Sequence, residues 1–273
     1  MMPVTEASSP IILAHRGGGL EAPENTMAAF EHTRSLGVCH IETDAHLTAD
    51  GKVVISHDPT VDRCFNGTGL ISGYTWAELS RLRNEAGEKI MLLAEALEAF
   101  PDMYFNIDAK IAGVEGPMIR VIEEHGACDR VLLASFSEAR LRKIRDLAAT
   151  GIATSLGVDA VARLTAAAKT ATSPAVWRIP GPRQGAIAAQ VPVTYGPVTV
   201  IDERFVAAAH TAGLAVHAWT IDEAEEVERL VGLGVDGIVT NRPRAVRDLL
   251  ADRGLWSPPP GPDENRRRQR ARD

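Results

Sequence analysis

The sequence predicts an α/β fold, a (β/α)8 barrel with a small subdomain inserted after the second strand. Three observations predict it. Strands alternate with helices from residue 11 to residue 250. The strands are mostly continuous apolar runs, the pattern of a parallel sheet covered on both faces. Eight such units in one chain of this length match a closed barrel. A doubly wound open sheet satisfies the same pattern, because a list of strands does not show closure.

The candidate strands, in order, are Ile11–Ala14, Cys39–Asp44, Met103–Asp108, Val131–Phe136, Ala153–Leu156, Ile187–Val191, Ala215–Thr220 and Gly237–Thr240. The segments between them are amphipathic. Ser137–Thr150 sets Leu141, Ile144 and Leu147 on one face, and Asp222–Leu233 gathers Val227, Leu230 and Val231. Residues 171–186, rich in Ala, Pro, Arg and Gly, leave open where the sixth strand lies. One interval breaks the rhythm. After a short strand, Val53–Ser56, residues 58–88 carry Asn66-Gly67-Thr68-Gly69, Ser72-Gly73 and a short helical stretch, Thr75–Leu82, before the next helix, Met91–Phe100. Excursions of this length from a barrel are commonly binding loops or lids. Residues 257–273 combine a Pro-rich breaker with an Arg-rich run and are expected to be a disordered, solvated tail.

Composition narrows the function classes. The 273 residues are 45% apolar and 24% charged, ordinary for a soluble globular chain and unlike a fibre or a wholly disordered protein. Cys39, Cys64 and Cys128 are too few and too scattered for a disulfide framework, which suits a reducing compartment. Met1–Pro10 has no leader-like pattern, and no apolar run approaches the roughly 18 residues of a membrane helix, so a cytoplasmic protein without stable membrane insertion is expected. The net charge is −7 although the tail is basic, and an acidic body argues against a nucleic-acid partner.

The reactive residues lie where predicted strands end. The first strand runs into His15-Arg16-Gly17-Gly18-Gly19, followed by Pro23-Glu24-Asn25-Thr26 opening a helix. In a barrel, C-terminal strand ends face the active site. A planar, always cationic Arg there suits a phosphate or carboxylate, whereas Asn25 or Thr26 serves equally as a helix cap. The second strand ends Glu42-Thr43-Asp44. Side chains two apart on a strand share a face, and two converging carboxylates suit Mg2+ or Ca2+. The third strand ends Asp108-Ala109-Lys110, where Asp108 could complete the metal site and Lys110 could hold an anion, or the two could form a plain ion pair. His57-Asp58-Pro59 closes the short strand, giving a second histidine suited to acid–base work. The other six histidines read as structural or surface residues. No phosphate-loop, His-Glu-x-x-His or Gly-x-Ser-x-Gly motif is present.

Together these motifs resemble the glycerophosphodiester phosphodiesterase family, whose members carry a His-Arg-Gly strand end, a Pro-Glu-Asn-Thr helix start, a Glu-x-Asp strand end and a His-Asp turn in that order. The resemblance spans roughly residues 11–250, including Ala218-Trp219-Thr220 and Asp236 to Thr240. It implies a TIM barrel that hydrolyses small-molecule glycerophosphodiesters to an alcohol and glycerol 3-phosphate with a divalent metal. His15 and His57 would be the catalytic pair, with His15 as base and His57 as acid. Arg16 and Lys110 would hold the phosphate, and Glu42, Asp44 and Asp108 would bind the metal. Trp219 would offer the substrate an apolar wall, or else fill the core. Two positions depart from the family pattern: Asp108 stands where Glu is usual, and Thr240-Asn241 where Thr-Asp is usual. The alternatives are a lysophospholipase D-like activity admitting an acyl chain, with apolar surface from Cys64, Phe65, Leu70, Ile71 and Tyr74, and a catalytically silent phosphate-binding barrel. Oligomeric state is not encoded in any of these features.

Overall fold

A computed structural model describes residues 9–148, 151–258 and 261–262. Eight parallel strands form a closed barrel: β1 (Ile11–His15), β2 (His40–Leu47), β5 (Tyr104–Ala109), β6 (Val131–Ala134), β7 (Ala153–Ser155), β8 (Ala186–Pro192), β11 (Ala215–Trp219) and β12 (Gly237–Thr240). They neighbour one another in chain order, and closure comes from β1 pairing with both β2 and β12. The open-sheet alternative is therefore excluded. The intervening short strands are β3 (Val53–Ile55) and β4 (Met91–Leu92), which extend β2 outward in antiparallel pairing, and a small hairpin, β9 (Thr194–Tyr195) with β10 (Val198–Thr199).

Helices α1 (Met27–Ser35), α3 (Leu93–Ala99), α4 (Glu115–Glu124), α5 (Glu138–Leu147), α6 (Val158–Lys169), α7 (Glu203–Thr211), α8 (Ala224–Gly232) and α9 (Pro243–Asp252) cover the outside; α2 (Trp76–Leu79) belongs to the insertion. Outward strand residues Ile41, Phe105, Ile107 and Leu133 pack under Phe30, Leu97, Ile122 and Ile144 on one side. Ile12, Val191, Val216 and Ile238 pack under Leu164, Phe205, Leu230 and Leu250 on the other. The alternate residues point inward; where these too are apolar, as in β1 and β12, the strand reads as an apolar run, whereas β2 and β5 turn polar residues to the inside. The interior carries Tyr104 stacked on His40 at 4.8 Å, with Leu132, Ala153 and Ala188 beside them. His217 leaves no room for a side chain at Gly237, where a Cβ would sit 2.6 Å from its ring.

Several boundaries differ from expectation for local reasons. The fourth strand stops at Ala134, and Phe136 leaves the sheet to stand 58% exposed. Met91 and Leu92, expected in a helix, pair with Ile55 and Val54 instead, because β3 offers an open edge. The helix expected over Thr75–Leu82 is confined to Trp76–Leu79, capped by the Thr75 side chain. The insertion has its own small core of Val54, Val61, Ile71, Leu79 and Ile90, with Phe65, Tyr74 and Trp76 against it. Of the residues expected to supply some apolar surface, Ile71 is buried in this core and Phe65 and Tyr74 are partly buried against it, so they hold the insertion together. Leu70 alone of that apolar set is largely exposed. Apart from residues 257–258 and 261–262, the tail expected to be disordered lies outside the described residues. Among the described residues no helix is long and apolar enough to cross a membrane.

Candidate active site

Parallel strands deliver their C-terminal ends to one rim, and the ladder register sets the order there. His15 pairs in register with Glu42, Glu42 with Asn106, and Asp44 with Asp108. In-register neighbours share a face, so His15, Glu42, Asn106, Asp44 and Asp108 all turn toward the barrel axis. Six of the residues singled out in the sequence, His15, Arg16, Glu42, Asp44, Asp108 and Lys110, are thereby joined in one network.

The turn after β1 aims Arg16. Arg16 itself is left-handed at φ 54°, as are Gly17 at 78° and Gly18 at 89°. A Cβ on Gly17 would lie 2.7 Å from the Phe30 ring, and one on Gly18 2.8 Å from Pro243, so backbone freedom and space both demand glycine. The Arg16 guanidinium meets both Glu24 oxygens at 3.2 Å, while its Nε, 3.8 Å from Asp44 Oδ2, is buried with no hydrogen-bond partner. Thr26, not Asn25, caps α1. Asn25, left-handed at φ 57°, instead accepts from Thr43 Oγ at 2.7 Å and donates to Asp44 at 3.2 Å. The motif signal for Asn25 was present, but it suggested a cap rather than a strut for the acidic cluster.

Lys110 Nζ lies 2.8 Å from both Asp44 and Asp108. Burial opposes its charge, but the two carboxylates outweigh burial and hold the ammonium firmly protonated. Glu42 is 8% exposed; burial, and then the charge of Asp44, push its carboxyl well above the usual range. Burial likewise raises Asp108, although Lys110 works the other way. Among the described residues no three His, Cys, Asp or Glu side chains stand ready as a metal cage. The fit to a cation lies in the donor chemistry. Three carboxylates repel one another, and Asp108 Oδ1 and Asn106 Oδ1 are buried acceptors without hydrogen-bond partners, a set of hard oxygens suited to Mg2+ or Ca2+.

The two histidines are held differently. His15 Nδ1 is 2.7 Å from Asn241 Oδ1, and its Nε2 lies 3.8 Å from Glu42. Burial lowers its pKa, against the Asn241 hydrogen bond, which raises it. His57 hangs from the insertion, its Nδ1 2.7 Å from Asp58 and its carbonyl oxygen 3.3 Å from His46 Nε2. It is near enough to perturb His15 electrostatically. Hydrogen bonding from Arg63 is the main cause that takes Asp58 down to about 2. Arg63 also grips Glu24 at 2.7 and 2.9 Å, so an Arg16–Glu24–Arg63–Asp58 chain ties the insertion to the turn after β1. Sequence reasoning missed Glu24, Arg63, Asn106, Asp222 and Asn241 as site components. Two of them carried a signal, Glu24 in the Pro-Glu-Asn-Thr run and Asn241 as the departure from the usual Thr-Asp pair. Trp219 stands across the rim at the end of β11, its ring edge-on to Phe136 at 5.8 Å and packed against Ile11, Leu13 and Val239, so it both roofs the interior and borders the mouth.

Comparison with known proteins follows this geometry. Residues 15–245 match the model of the Glycerophosphoryl diester phosphodiesterase family. The chain is 37% identical to a probable glycerophosphodiester phosphodiesterase 2 of Mycobacterium tuberculosis over 247 residues, covering 90% of this chain and 92% of the relative. It is 30% identical to a glycerophosphodiester phosphodiesterase of Caldanaerobacter subterraneus, covering 89% and 99%. Among solved structures it superposes, with a TM-score of 0.74 and 26% identity over 89% of this chain and 97% of the other, on an Oleispira antarctica phosphodiesterase in complex with its product sn-glycerol-3-phosphate.

Proposed function

The chain belongs to the glycerophosphoryl diester phosphodiesterase family and is a phosphoric diester hydrolase, and from that premise we propose a His15/His57 acid–base hydrolysis of glycerophosphodiesters to an alcohol and sn-glycerol 3-phosphate, assisted by Mg2+ or Ca2+ at Glu42, Asp44 and Asp108. The observation that carries it is the single rim on which a partly buried His, two cationic side chains and three carboxylates converge, with a second His beside it from the insertion. The product bound to the Oleispira relative supports the same product here.

A phosphodiester enters with one negative charge and gains more in the transition state, so the site has to stabilise charge and move two protons. Arg16 and Lys110 supply fixed positive charge to the phosphoryl oxygens. His15 takes the proton from the attacking oxygen, either of water, which gives glycerol 3-phosphate directly, or of the neighbouring glycerol hydroxyl, which gives a cyclic phosphate that a water then opens to glycerol 3-phosphate. His57 returns a proton to the leaving oxygen as the phosphorus–alcohol bond breaks. When bound, the divalent cation neutralises phosphoryl charge and relieves the repulsion among the carboxylates that hold it. Trp219 gives the glycerol or the leaving alcohol an apolar face.

The test is release of glycerol 3-phosphate from a panel of glycerophosphodiesters differing in alcohol, with EDTA, with Mg2+ or Ca2+ restored, and with His15→Ala and His57→Ala in parallel. Cation-dependent release lost in both variants is expected. Activity that survives EDTA sinks the metal role. Cleavage confined to a lysophospholipid arm moves the substrate class to the lysophospholipase D-like alternative.

A further inference from the structure

We infer that Asp222 and Asn241 are positioning residues that set the ring tautomer of His15, leaving Nε2 as its only proton acceptor. The inference rests on the reading of His15 as the base. It comes from the direction of each hydrogen bond in a chain that crosses three neighbouring strands, β11, β12 and β1.

Asp222, just beyond β11, is the fixed end. Its Oδ1 accepts from Thr240 Oγ at 2.9 Å and from the Asn241 backbone N–H at 2.7 Å, and its Oδ2 accepts from Asn241 Nδ2 at 2.8 Å. The Arg242 N–H donates to Thr240 Oγ at 3.0 Å, which turns the Thr240 hydroxyl proton toward Asp222. The carboxylate therefore commits the amide of Asn241: the NH2 faces Asp222 and the oxygen faces His15. An amide oxygen has no proton to give, so His15 Nδ1, 2.7 Å away, is the donor. In a neutral imidazole the other nitrogen then holds the lone pair. That nitrogen, Nε2, points into the acidic cluster and lies beyond hydrogen-bonding distance from Glu42 at 3.8 Å. Arg16, Asp44 and His57 act on the charge of the ring and Glu42 stands 3.8 Å from Nε2, but among the described residues only Asn241 is hydrogen-bonded to Nδ1.

The chain is directional, so it can be inverted. In Asp222→Asn the new amide keeps its oxygen on Thr240 and the Asn241 N–H, and its NH2 meets the NH2 of Asn241. Asn241 relieves that clash by turning over, which offers its NH2 to His15 and moves the ring proton to Nε2. In Asn241→Asp two carboxylates face one another with no donor between them. Exchanging both residues restores every bond: the amide now at position 222 donates to the carboxylate now at position 241, and that carboxylate accepts from His15 Nδ1–H.

The experiment reads the His15 ring by nitrogen and carbon NMR in metal-free protein above its titration, with its signals assigned by their loss in His15→Gln, alongside kcat, KM and cation affinity. Wild type is expected as the Nδ1–H form, and an Nε2–H ring there overturns the proposal whatever the Asp222 and Asn241 variants do. D222N is expected to shift the ring to Nε2–H and to cost on the order of 10²- to 10⁴-fold in kcat, the scale of a mis-set catalytic tautomer, with KM and cation affinity nearly unchanged. The double variant D222N/N241D is expected to recover Nδ1–H and most of kcat. A double variant no better than either single, or an unshifted ring in D222N, overturns the relay. A shifted ring with unchanged kcat leaves tautomer control standing and refutes His15 as the base, so the two readings fail separately.

Discussion

The barrel rim and the inserted subdomain each present one histidine to the same mouth, but they hold it by opposite means. His15 ends a barrel strand, is partly buried, and is anchored through Asn241 across 226 residues of sequence. His57 sits in a turn at the edge of the insertion, is more exposed, and is anchored by Asp58, the next residue. The barrel holds its ring through a partner from a distant strand, and the insertion holds its more exposed ring through a neighbour in the same turn. A base that must collect a proton at a fixed atom is served by the first arrangement. An acid that follows leaving groups of different shape is served by the second.

The comparison is tested most severely by deleting each ring. His15→Ala and His57→Ala are each expected to lower kcat by about 10²- to 10⁴-fold, the usual worth of a positioned acid or base; single-turnover release of glycerol 3-phosphate measures it, and a variant retaining near-full activity removes that ring from the pair. Next in size is the insertion's own core. Leu79→Ala is expected to destabilise the subdomain by about 2–5 kcal/mol, the range for a fully buried leucine. Hydrogen exchange should then rise across residues 58–88 while the barrel strands keep their protection; equal loss in both regions would mean that the two do not fold as separable units.

A smaller effect is expected from Arg63→Ala, which frees Glu24 and Asp58 but leaves both rings in place. Because Arg63 is half exposed and screened, a fall in activity of roughly tenfold or less is expected, carried more by KM than by kcat. The smallest effect is in acid. The Asp58 carboxyl is depressed to about 2 from the ordinary value of 3.8, so its contribution to the folded insertion is complete above pH 3.8 and is lost as pH falls toward 2. Hydrogen exchange near residues 57–63 should therefore loosen over that window in wild type, and Arg63→Ala should move the loosening to higher pH; an unmoved profile would assign the depression to another partner.

Much of this was legible because its signals are local. Most of the barrel strands carry apolar runs, and the seven residues proposed for catalysis and ligand binding around the rim sit at strand ends or in short motifs, where the residue types speak for themselves. What stayed hidden depends on chain closure. Asn241 gained a role only when β12 was laid beside β1, and Asp222 only when β11 was laid beside β12. Glu24 and Arg63 met because the insertion folds back over the first turn, a contact that no periodicity encodes. Met91 and Leu92 became a strand because β3 had a free edge, and Phe136 left its strand because the ladder to β7 ends before it. Asn25 looked like a cap because the residue after it is one.

Closure of the ring between β1 and β12 also bears on how the protein is made. By the time a growing chain has emerged past Lys110 it already carries both histidines, both proposed phosphate-binding cations and all three acids of the cluster. The strand that completes the barrel, and the amide that orients His15, follow more than 120 residues later. The seven residues proposed for the chemistry are thus synthesised early, while Trp219, Asp222, Asn241 and the closing strand come late, so a nascent or truncated chain would hold the proposed groups without the closed rim that gathers them. Pairing between the two ends of the fold is a non-local contact, of the kind that forms slowly, and the rim is complete only once it is made.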